Sequence, residues 1–306
     1  MLATLGNPFD SPAFRYEIKW DGYRCLAFLE GATRLQSRNQ KDISAVFPEL
    51  GSIHQRIKSQ GAVLDGEIVA LRNGRPSFAE LQKRAQIRNQ DQIRTTAAKI
   101  PVVLVVFDLL YQNNQPVLDE PLEQRRARLA DLLLPAEELI LSEQVPEHGI
   151  AYFQSVSELG MEGVIAKRID SPYLPGKRVT SWLKFKRKRS GNFLVCGYTI
   201  KPTRRGELSS LVLGAFEGER LQWRGLVGTG FTVLELQGIH RELRSIEIPE
   251  CPFTGTALKQ KGVHWTRPII PCEVEFLEVT DDGSLRHPSF RRFRPDLAPG
   301  ECRLEV

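Results

Sequence analysis

Alternating apolar and polar positions, together with short apolar runs, predict a strand-rich first part of the chain. The continuous apolar run at 101–110 is typical of a strand that is buried on both faces. The other strands of this part are expected at 16–18, 25–30, 34–39, 62–71, 162–168 and 181–186. Helical spacing predicts helices at 47–58, 77–86 and 121–134, and a further helix that ends at 156–159.

The pattern changes after residue 190, where short strands and turns dominate. Strands are predicted at 193–200, 210–216, 221–226 and 273–279, one helix at 232–244, and hairpins at Gly218 and Asp282-Gly283. A small five-stranded barrel with one helix resembles an OB-fold more than a sandwich. The expected fold class is therefore α+β, with one domain at 1–188 and a second at 189–306.

Composition narrows the class of protein only in part. The 306 residues are 41% hydrophobic, and no apolar run approaches the roughly 20 residues of a membrane span. The first residues carry neither a charged segment nor a long apolar one, so no signal peptide is expected. Five scattered cysteines without a Cys-x-x-Cys spacing favour reduced thiols in the cytoplasm over a disulfide framework or a zinc site.

Positive charge is concentrated in one stretch of the chain. The net charge is only +5, yet residues 181–206 contain eight Lys or Arg and no Asp or Glu. Such a stretch is usually a solvated face, and it also suits a polyanion such as nucleic acid.

Candidate chemistry begins at residues 19–24, which read Lys-x-Asp-Gly-x-Arg. A lysine in such a setting acts as a nucleophile when its site disfavours the ammonium form. We interpret Lys19 as a nucleophile for a nucleotide phosphate, Gly22 as a close-approach position for a ligand, and Arg24 as a fork for phosphate or ribose oxygens. The alternative is a strand, a turn and a surface ion pair.

Five further motifs follow in a fixed order. They are Ser-Arg-Asn at 37–39, Asp-Gly-Glu at 65–67, Phe-Asp-Leu-Leu at 107–110, Glu-Gly-Val-Ile-Ala-Lys-Arg at 162–168 and Trp-Leu-Lys-Phe-Lys at 182–186. Together with Lys19 they resemble the covalent nucleotidyltransferases and, within them, the ATP-dependent DNA ligases. The resemblance implies an adenylation domain of antiparallel sheets and helices (ATP-grasp-like), followed by a β-barrel OB-fold domain.

The second half of the chain is similar to one branch, the ligase module of bacterial end-joining DNA ligases. The segments that carry this similarity are 225–231, 264–265, 273–276 and 285–290, and the opening residues 1–10 agree with it. This branch implies a substrate of nicked or broken DNA, gripped in part by the basic loop at 201–205. It also implies a Ku-like end-binding partner, polymerase and nuclease modules, a monomeric enzyme without membrane attachment, and a nucleoid-associated location in the cytoplasm.

The resemblance implies that five residues contact the nucleotide. Lys19 would attack the α-phosphate of ATP and form a lysyl-AMP. Glu17 and Ile18 would contact the adenine edge, Phe107 would stack on the ring, and Arg24 would hold ribose or phosphate oxygens. From the residues alone, Phe107 is equally a core ring.

Phosphate and metal contacts are assigned to a second group. Glu67 would bind nucleotide oxygens and, with Glu162, a divalent cation, because carboxylate oxygens suit Mg²⁺ or Mn²⁺. Arg38 would place the DNA 5′-phosphate, and Lys184 and Lys186 would bind the α-phosphate. The structural alternatives are an outward-facing Glu67 and an edge strand with outward lysines.

The chain departs from the family pattern at two places. Gln40 stands where a glycine usually follows Ser-Arg-Asn. The last motif, in which Arg294 would orient the pyrophosphate, ends in Leu297 where a lysine is usual, and Arg291 and Arg292 are candidate substitutes. Self-adenylation is thus the reaction step that these departures are most expected to impair.

Other functions share parts of the pattern. An NAD-dependent ligase has the same lysine motif but needs an upstream domain, which the 18 residues before Lys19 cannot form. RNA capping guanylyltransferases and RNA ligases share the lysine, and a nucleic-acid-binding module with an inactive transferase site would share the basic stretch and the OB-like half. The nucleotide that becomes bound to Lys19 distinguishes these classes.

Overall fold

The computed structural model describes residues 1–72, 74–187, 189–200, 207–253, 262–280 and 282–304. The chain divides into two compact units, Met1–Arg187 and Lys188–Val306, whereas the sequence places the division after residue 188. The basic loop at 201–205 lies outside the described residues. In the part of the chain that is described, no helix is both long and apolar enough to cross a bilayer.

The first unit contains two sheets. Its strands are β1 (Leu2–Leu5), β2 (Ser11–Ile18), β3 (Tyr23–Glu30), β4 (Ala32–Ser37), β5 (Ala62–Arg72), β6 (Arg75–Pro76), β7 (Val102–Gln112), β8 (Gln115–Pro116), β9 (Leu139–Leu141), β10 (Val145–Glu147), β11 (Gly163–Arg168) and β12 (Arg178–Lys186). Its helices are α1 (Phe78–Gln86), α2 (Gln90–Lys99), α3 (Leu122–Leu132) and α4 (Gly149–Glu158).

The two sheets are distinct in strand order. One runs β1-β12-β11-β2-β10, and the other runs β4-β3-β5-β7-β8, with β6 paired to β5 and β9 paired to β7. All of these pairs are antiparallel except β1 with β12 and β7 with β9. The chain passes from the first sheet to the second between β2 and β3 and returns between β9 and β10, and the first of these connections contains the lysine motif.

Apolar packing explains why these elements hold together. The largest core cluster of the first unit covers one face of the second sheet. Alternate residues there, such as Leu64 of β5 and Leu104 of β7, are fully buried. A smaller cluster packs α4 against the first sheet around Tyr16 and Phe185. Burial of this apolar surface is the main stabilising term for a unit of this size.

One predicted helix is wrong. Residues 47–58 form separate 3₁₀ turns at Pro48–Leu50 and Ile53–Arg56 instead of an α-helix. Gly51 lies between the two turns, and because glycine is unfavourable inside a helix, a continuous helix across this position is disfavoured. By contrast, α1 begins where expected, with the Ser77 hydroxyl accepting the Glu80 N–H at 3.4 Å.

The second unit has the topology of an OB-fold. Its strands are β13 (Arg189–Ile200), β14 (Leu208–Glu217), β15 (Arg220–Val227), β16 (Val263–Phe276) and β17 (Ser289–Phe293), and its helix is α5 (Val233–Ser245). The described strands form one antiparallel sheet in the order β15-β14-β13-β16-β17. The Phe290 N–H donates to the Thr229 carbonyl at 2.9 Å, which brings β17 next to the end of β15 and curls the sheet toward closure. The predicted α+β fold with an OB-type second half is confirmed.

Candidate active site

Lys19 lies directly after the last residue of β2, at the end of the first sheet. Its N–H donates to the Gly163 carbonyl at 2.8 Å, which continues the pairing of β2 with β11. Its ammonium forms an ion pair with Glu162, and the second carboxylate oxygen of Glu162 lies 3.3 Å from the Nζ of Lys186. One carboxylate therefore holds together the predicted nucleophile and one of the two predicted phosphate-binding lysines.

Two glycines make this arrangement sterically possible. A Cβ at Gly22 would lie 2.2 Å from the carbonyl oxygen of Ile68, so the turn after Lys19 rests directly on β5. The close approach expected at Gly22 is thus to the protein's own backbone. Gly163 has a φ of +149°, and a Cβ there would lie 1.9 Å from the Phe185 carbonyl oxygen. Both positions exclude any larger residue.

A cavity of about 200 Å³ lies beside Lys19. Eight of the predicted site residues line it: Glu17, Ile18, Lys19, Arg24, Arg38, Glu67, Phe107 and Lys184. Seven residues without a predicted role complete the lining: Leu2, Ala3, Trp20, Ile165, Lys167, Arg178 and Trp182. Six cationic and two acidic side chains face one small volume, an arrangement that favours a polyanionic ligand.

Glu67 is the predicted ligand whose ionisation is most affected by the site. Burial raises the pKa of its carboxyl to about 8, and the nearby Lys19 and Arg24 oppose this effect. Glu162 lies close enough to add to the increase. A carboxyl of this kind gains from a bound cation, because the cation compensates for the lost solvation of the charged form.

The guanidinium of Arg24 is already bound on one side. It donates to both oxygens of the buried Asp65 carboxylate, from Nε at 3.0 Å and from Nη2 at 2.6 Å. The Tyr173 hydroxyl donates to the same carboxylate at 2.7 Å. Arg24 nevertheless lines the cavity, so Asp65 fixes its orientation there.

Lys167 is a buried site residue that sequence reasoning missed. Its Nζ lies 2.7 Å from Glu17 and 4.3 Å from the ring centres of both Phe107 and Trp182. Burial lowers the pKa of Lys167, and the Glu17 carboxylate opposes this. Strand alternation was the available signal, because Lys167 shares a face of β11 with Ile165, which also lines the cavity.

The side chain of Phe107 contacts charged groups on the cavity wall. Besides the Lys167 ammonium, the Arg24 guanidinium carbon lies 5.6 Å from its ring centre. The Glu17 carboxylate, predicted to read the adenine edge, accepts hydrogen bonds on Oε1 from both Lys167 and Gln144. Both residues therefore belong to a charged network of the cavity wall.

Arg294, the remaining predicted residue, belongs to the second unit. Its guanidinium pairs with Asp296 at 2.7 Å and donates to the Asn192 side chain at 3.2 Å. The two candidate substitutes for the missing lysine are paired across strands, Arg291 with Glu275 and Arg292 with Glu273. Their positive charges are thus partly compensated where they stand.

The described residues contain no cluster of three or more His, Cys, Asp or Glu side chains arranged for a metal ion. The two carboxylates predicted as metal ligands, those of Glu67 and Glu162, both lie near Lys19. A divalent cation there would need oxygen atoms of a nucleotide and of water to complete its coordination, which is common for Mg²⁺.

Comparison with known proteins gives consistent matches over both units. The family model for the ATP dependent DNA ligase domain matches residues 2–186, and the model for the ATP dependent DNA ligase C terminal region matches residues 204–297. The multifunctional non-homologous end joining DNA repair protein LigD of Mycobacterium tuberculosis is 36% identical over 308 residues, which cover 98% of this chain and 39% of LigD. The chain therefore spans about two fifths of the length of that relative.

A shorter relative and a solved structure extend the match. DNA ligase C1 of Mycolicibacterium smegmatis is 30% identical over 321 residues, which cover 99% of this chain and 91% of the ligase. The structure of a mycobacterial DNA ligase D complexed with ATP and MES is 34% identical, with a TM-score of 0.56 over 100% of this chain and 97% of that one. The chain belongs to the family of ATP-dependent DNA ligases.

Proposed function

We propose that this chain seals breaks in DNA with ATP, through a lysyl-AMP on Lys19 and then a DNA-adenylate. The observation that carries the proposal is the position of Lys19, whose amine borders a cavity rich in cations and is held by Glu162. Family membership supplies the reaction class, and the cavity supplies a nucleophile with a phosphate-binding environment around it.

The first step is a displacement at phosphorus. The free amine of Lys19 attacks the α-phosphorus of ATP, a nitrogen–phosphorus bond forms, pyrophosphate leaves, and the nitrogen loses its proton. Lys184 and Arg178 border the same cavity as Lys19 and neutralise phosphate charge there. Positioning and charge neutralisation provide most of the catalysis in reactions of this type.

Two further displacements complete the reaction. An oxygen of the DNA 5′-phosphate attacks the AMP phosphorus and releases Lys19, and the 3′-hydroxyl then attacks the 5′-phosphate and releases AMP. Arg38 is exposed at the cavity border and forms no ion pair with any described residue, so it is available for the incoming phosphate. Arg294 would assist the departure of pyrophosphate in the first step only.

Glu67 and Glu162 would hold Mg²⁺ or Mn²⁺, which supplies charge neutralisation at the phosphates. A cation held by Glu162 would share that carboxylate with Lys19, which pairs with it in this structure.

The decisive experiment is labelling with α-³²P-ATP, and separately with α-³²P-GTP, followed by a denaturing gel. We expect label from ATP in the presence of Mg²⁺ or Mn²⁺, its loss in Lys19→Ala, and its transfer to nicked DNA followed by sealing. Lys99→Ala, a change of an exposed lysine on α2, is the matched control. Label from GTP, or sealing by Lys19→Ala as efficient as by the wild type, would refute the proposal.

The end-joining role is the finer part of the proposal. The LigD relative is named as an end-joining DNA repair protein, and we propose the same pathway here, with a Ku-like partner, polymerase and nuclease modules, a monomeric state and a place on the nucleoid. Ligation of blunt and overhanging ends with and without a bacterial Ku tests it. Equal sealing rates with and without Ku would count against this partner.

A further inference from the structure

A second and larger cavity opens on the face of the second sheet. It lies beside the cavity at Lys19, which we call the nucleotide cavity. Its volume is about 580 Å³, and Leu26 and Phe28 of β3, Val63 of β5 and Tyr111 of β7 form its apolar walls. It shares three lining side chains with the nucleotide cavity, of which Arg38 is exposed. We call it the sheet-face groove. A ligand that reaches the AMP phosphate past Arg38 would continue into it.

The charge of the sheet-face groove favours a phosphate-bearing ligand. Among the described residues that line it, Asp65 is the single acid, and its carboxylate is buried under hydrogen bonds from Arg24 and Tyr173. That acid is therefore compensated and presents no free negative charge to the groove. The exposed Arg38 guanidinium, in contrast, has no ion-pair partner in the described chain.

A second arginine lies on β4, the strand that ends directly before Arg38. Arg34 is exposed, forms no ion pair with any described residue, and its guanidinium carbon lies 3.9 Å from the ring centre of Phe28. Strand alternation places Arg34 on the same face of β4 as Gln36, which lines the groove. Arg34 lies in β4 and Arg38 is the first turn residue after it, so their Cα atoms are four residues and at most about 13 Å apart.

This spacing suits one strand of a nucleic acid. Nucleotides of a B-DNA strand follow each other at about 3.4 Å of axial rise, so two arginines four residues apart can contact different phosphates of that strand. The apolar side chains of Leu26, Phe28 and Tyr111 lie along the groove and match the less polar faces of the sugars. A peptide backbone, in contrast, carries no regularly spaced negative charges that could pair with both arginines.

We propose that the sheet-face groove holds the sugar–phosphate backbone of the DNA strand whose 5′-phosphate receives AMP, with Arg34 contacting a phosphate several nucleotides from the terminus. The inference rests on the proposed function and adds the path of one substrate strand. The strand assignment follows from continuity: the 5′-phosphate must reach Lys19, and the groove is the adjoining cavity at that border.

The test combines Arg34→Ala with a nicked duplex that carries a neutral methylphosphonate at single positions. Protein already adenylated on Lys19 is used, so that the first step does not enter the measurement. We expect Arg34→Ala to weaken DNA binding several-fold and to lower the steepness of the salt dependence by about 0.9. Arg94→Ala, an exposed arginine on α2, is the matched control and should leave both quantities unchanged.

The neutral linkages identify the strand. One methylphosphonate among the first nucleotides of the 5′-phosphate strand should weaken binding by the wild type but have no further effect on Arg34→Ala. If every linkage in that strand affects both proteins equally, or if the coupled linkage lies in the 3′-hydroxyl strand, the proposed path is wrong. Phe28→Ala tests the apolar wall independently, because it should weaken binding without changing the salt dependence.

The two proposals fail in distinguishable ways. If wild-type protein neither takes AMP from ATP nor seals a nick, the proposed function fails first. If it seals nicks while Arg34→Ala binds and seals like Arg94→Ala, the enzyme activity stands and the groove assignment is refuted.

Discussion

Removing either partner of the ion pair between Asp108 and Arg125 is expected to destabilise the first unit strongly. The pair joins β7 to α3 directly behind Phe107 of the nucleotide cavity, and both side chains are fully buried. Arg125 donates from Nε at 2.8 Å and from Nη2 at 2.9 Å to the two carboxylate oxygens. Its Nη1 donates to the carbonyls of Glu120 and Ser171. The contacts with Asp108 and Ser171 are buried, and the contact with Glu120 is partly buried.

The magnitude follows from what each change leaves behind. Arg125→Met leaves a buried carboxylate, and Asp108→Asn leaves a buried guanidinium, and such losses typically cost about 3–5 kcal/mol each. The double variant leaves no buried charge, although the carbonyls of Glu120 and Ser171 lose their donor. We therefore expect its cost to be well below the sum of the two single changes, by roughly 2 kcal/mol or more.

Thermal unfolding and hydrogen exchange measure this cycle. For a unit of this size, a loss of about 3–5 kcal/mol corresponds to a decrease in Tm of about 6–20 °C. Hydrogen–deuterium exchange of peptides from β7 and α3 shows whether the loss of stability occurs in the first unit. Arg128→Met, an exposed change on the same helix, is the matched control and should change little. Strictly additive costs in the double variant would refute the coupling between the two side chains.

Three further predictions come from single positions. Gln40 has a left-handed φ of +61°, so Gln40→Gly should raise the free energy of unfolding by about 0.5–1 kcal/mol in urea titrations. Because burial raises the pKa of Glu67 to about 8, its contribution to stability is full below the ordinary carboxyl pKa and is lost as pH rises toward 8. The nucleotide-free wild type should thus lose more unfolding free energy between pH 6 and pH 8.5 than Glu67→Gln, and equal losses would contradict the shift. Iodoacetamide should modify Cys251 before the four buried cysteines, as peptide mass spectrometry of the folded protein would show.

Local pattern identified β7, but it missed several short strands and most of the 14-residue strand β16, which was predicted only at 273–279. The apolar run that predicts a strand at 101–110 is β7, because a strand buried on both faces leaves an unmistakable composition. Strands of three or four residues such as β1 and β9 were not predicted, since they carry too few positions for a period to be recognised. Helix α2 was also missed, because its polar residues give only a weak apolar face.

Site residues were predictable when their chemical role could be recognised from the motif that contains them. They were not predicted when their role depends on the neighbouring strand with which their own strand pairs. Lys19 and Glu67 were identified from local sequence and both border the cavity. Lys167 was overlooked because its importance comes from the facing strand, where Trp182 stands directly opposite it. Asp65 was passed over for the same reason, since only the register of β3 with β5 brings it to Arg24.

The lysine motif is informative because it lies at one of the two places in the first unit where the described chain crosses between the sheets, the other being the connection from β9 to β10. Lys19 continues β2 of the first sheet, and five residues later Arg24 already belongs to β3 of the second. Gly22 lies between them against the backbone of β5, so the crossing has little freedom to move. The Lys19 amine, carried by one sheet, is thereby held beside Arg24 and Glu67 of the other. The short spacing of the motif is thus a geometric requirement of the cavity, and any insertion within it would separate the Lys19 amine from Arg24 and Glu67.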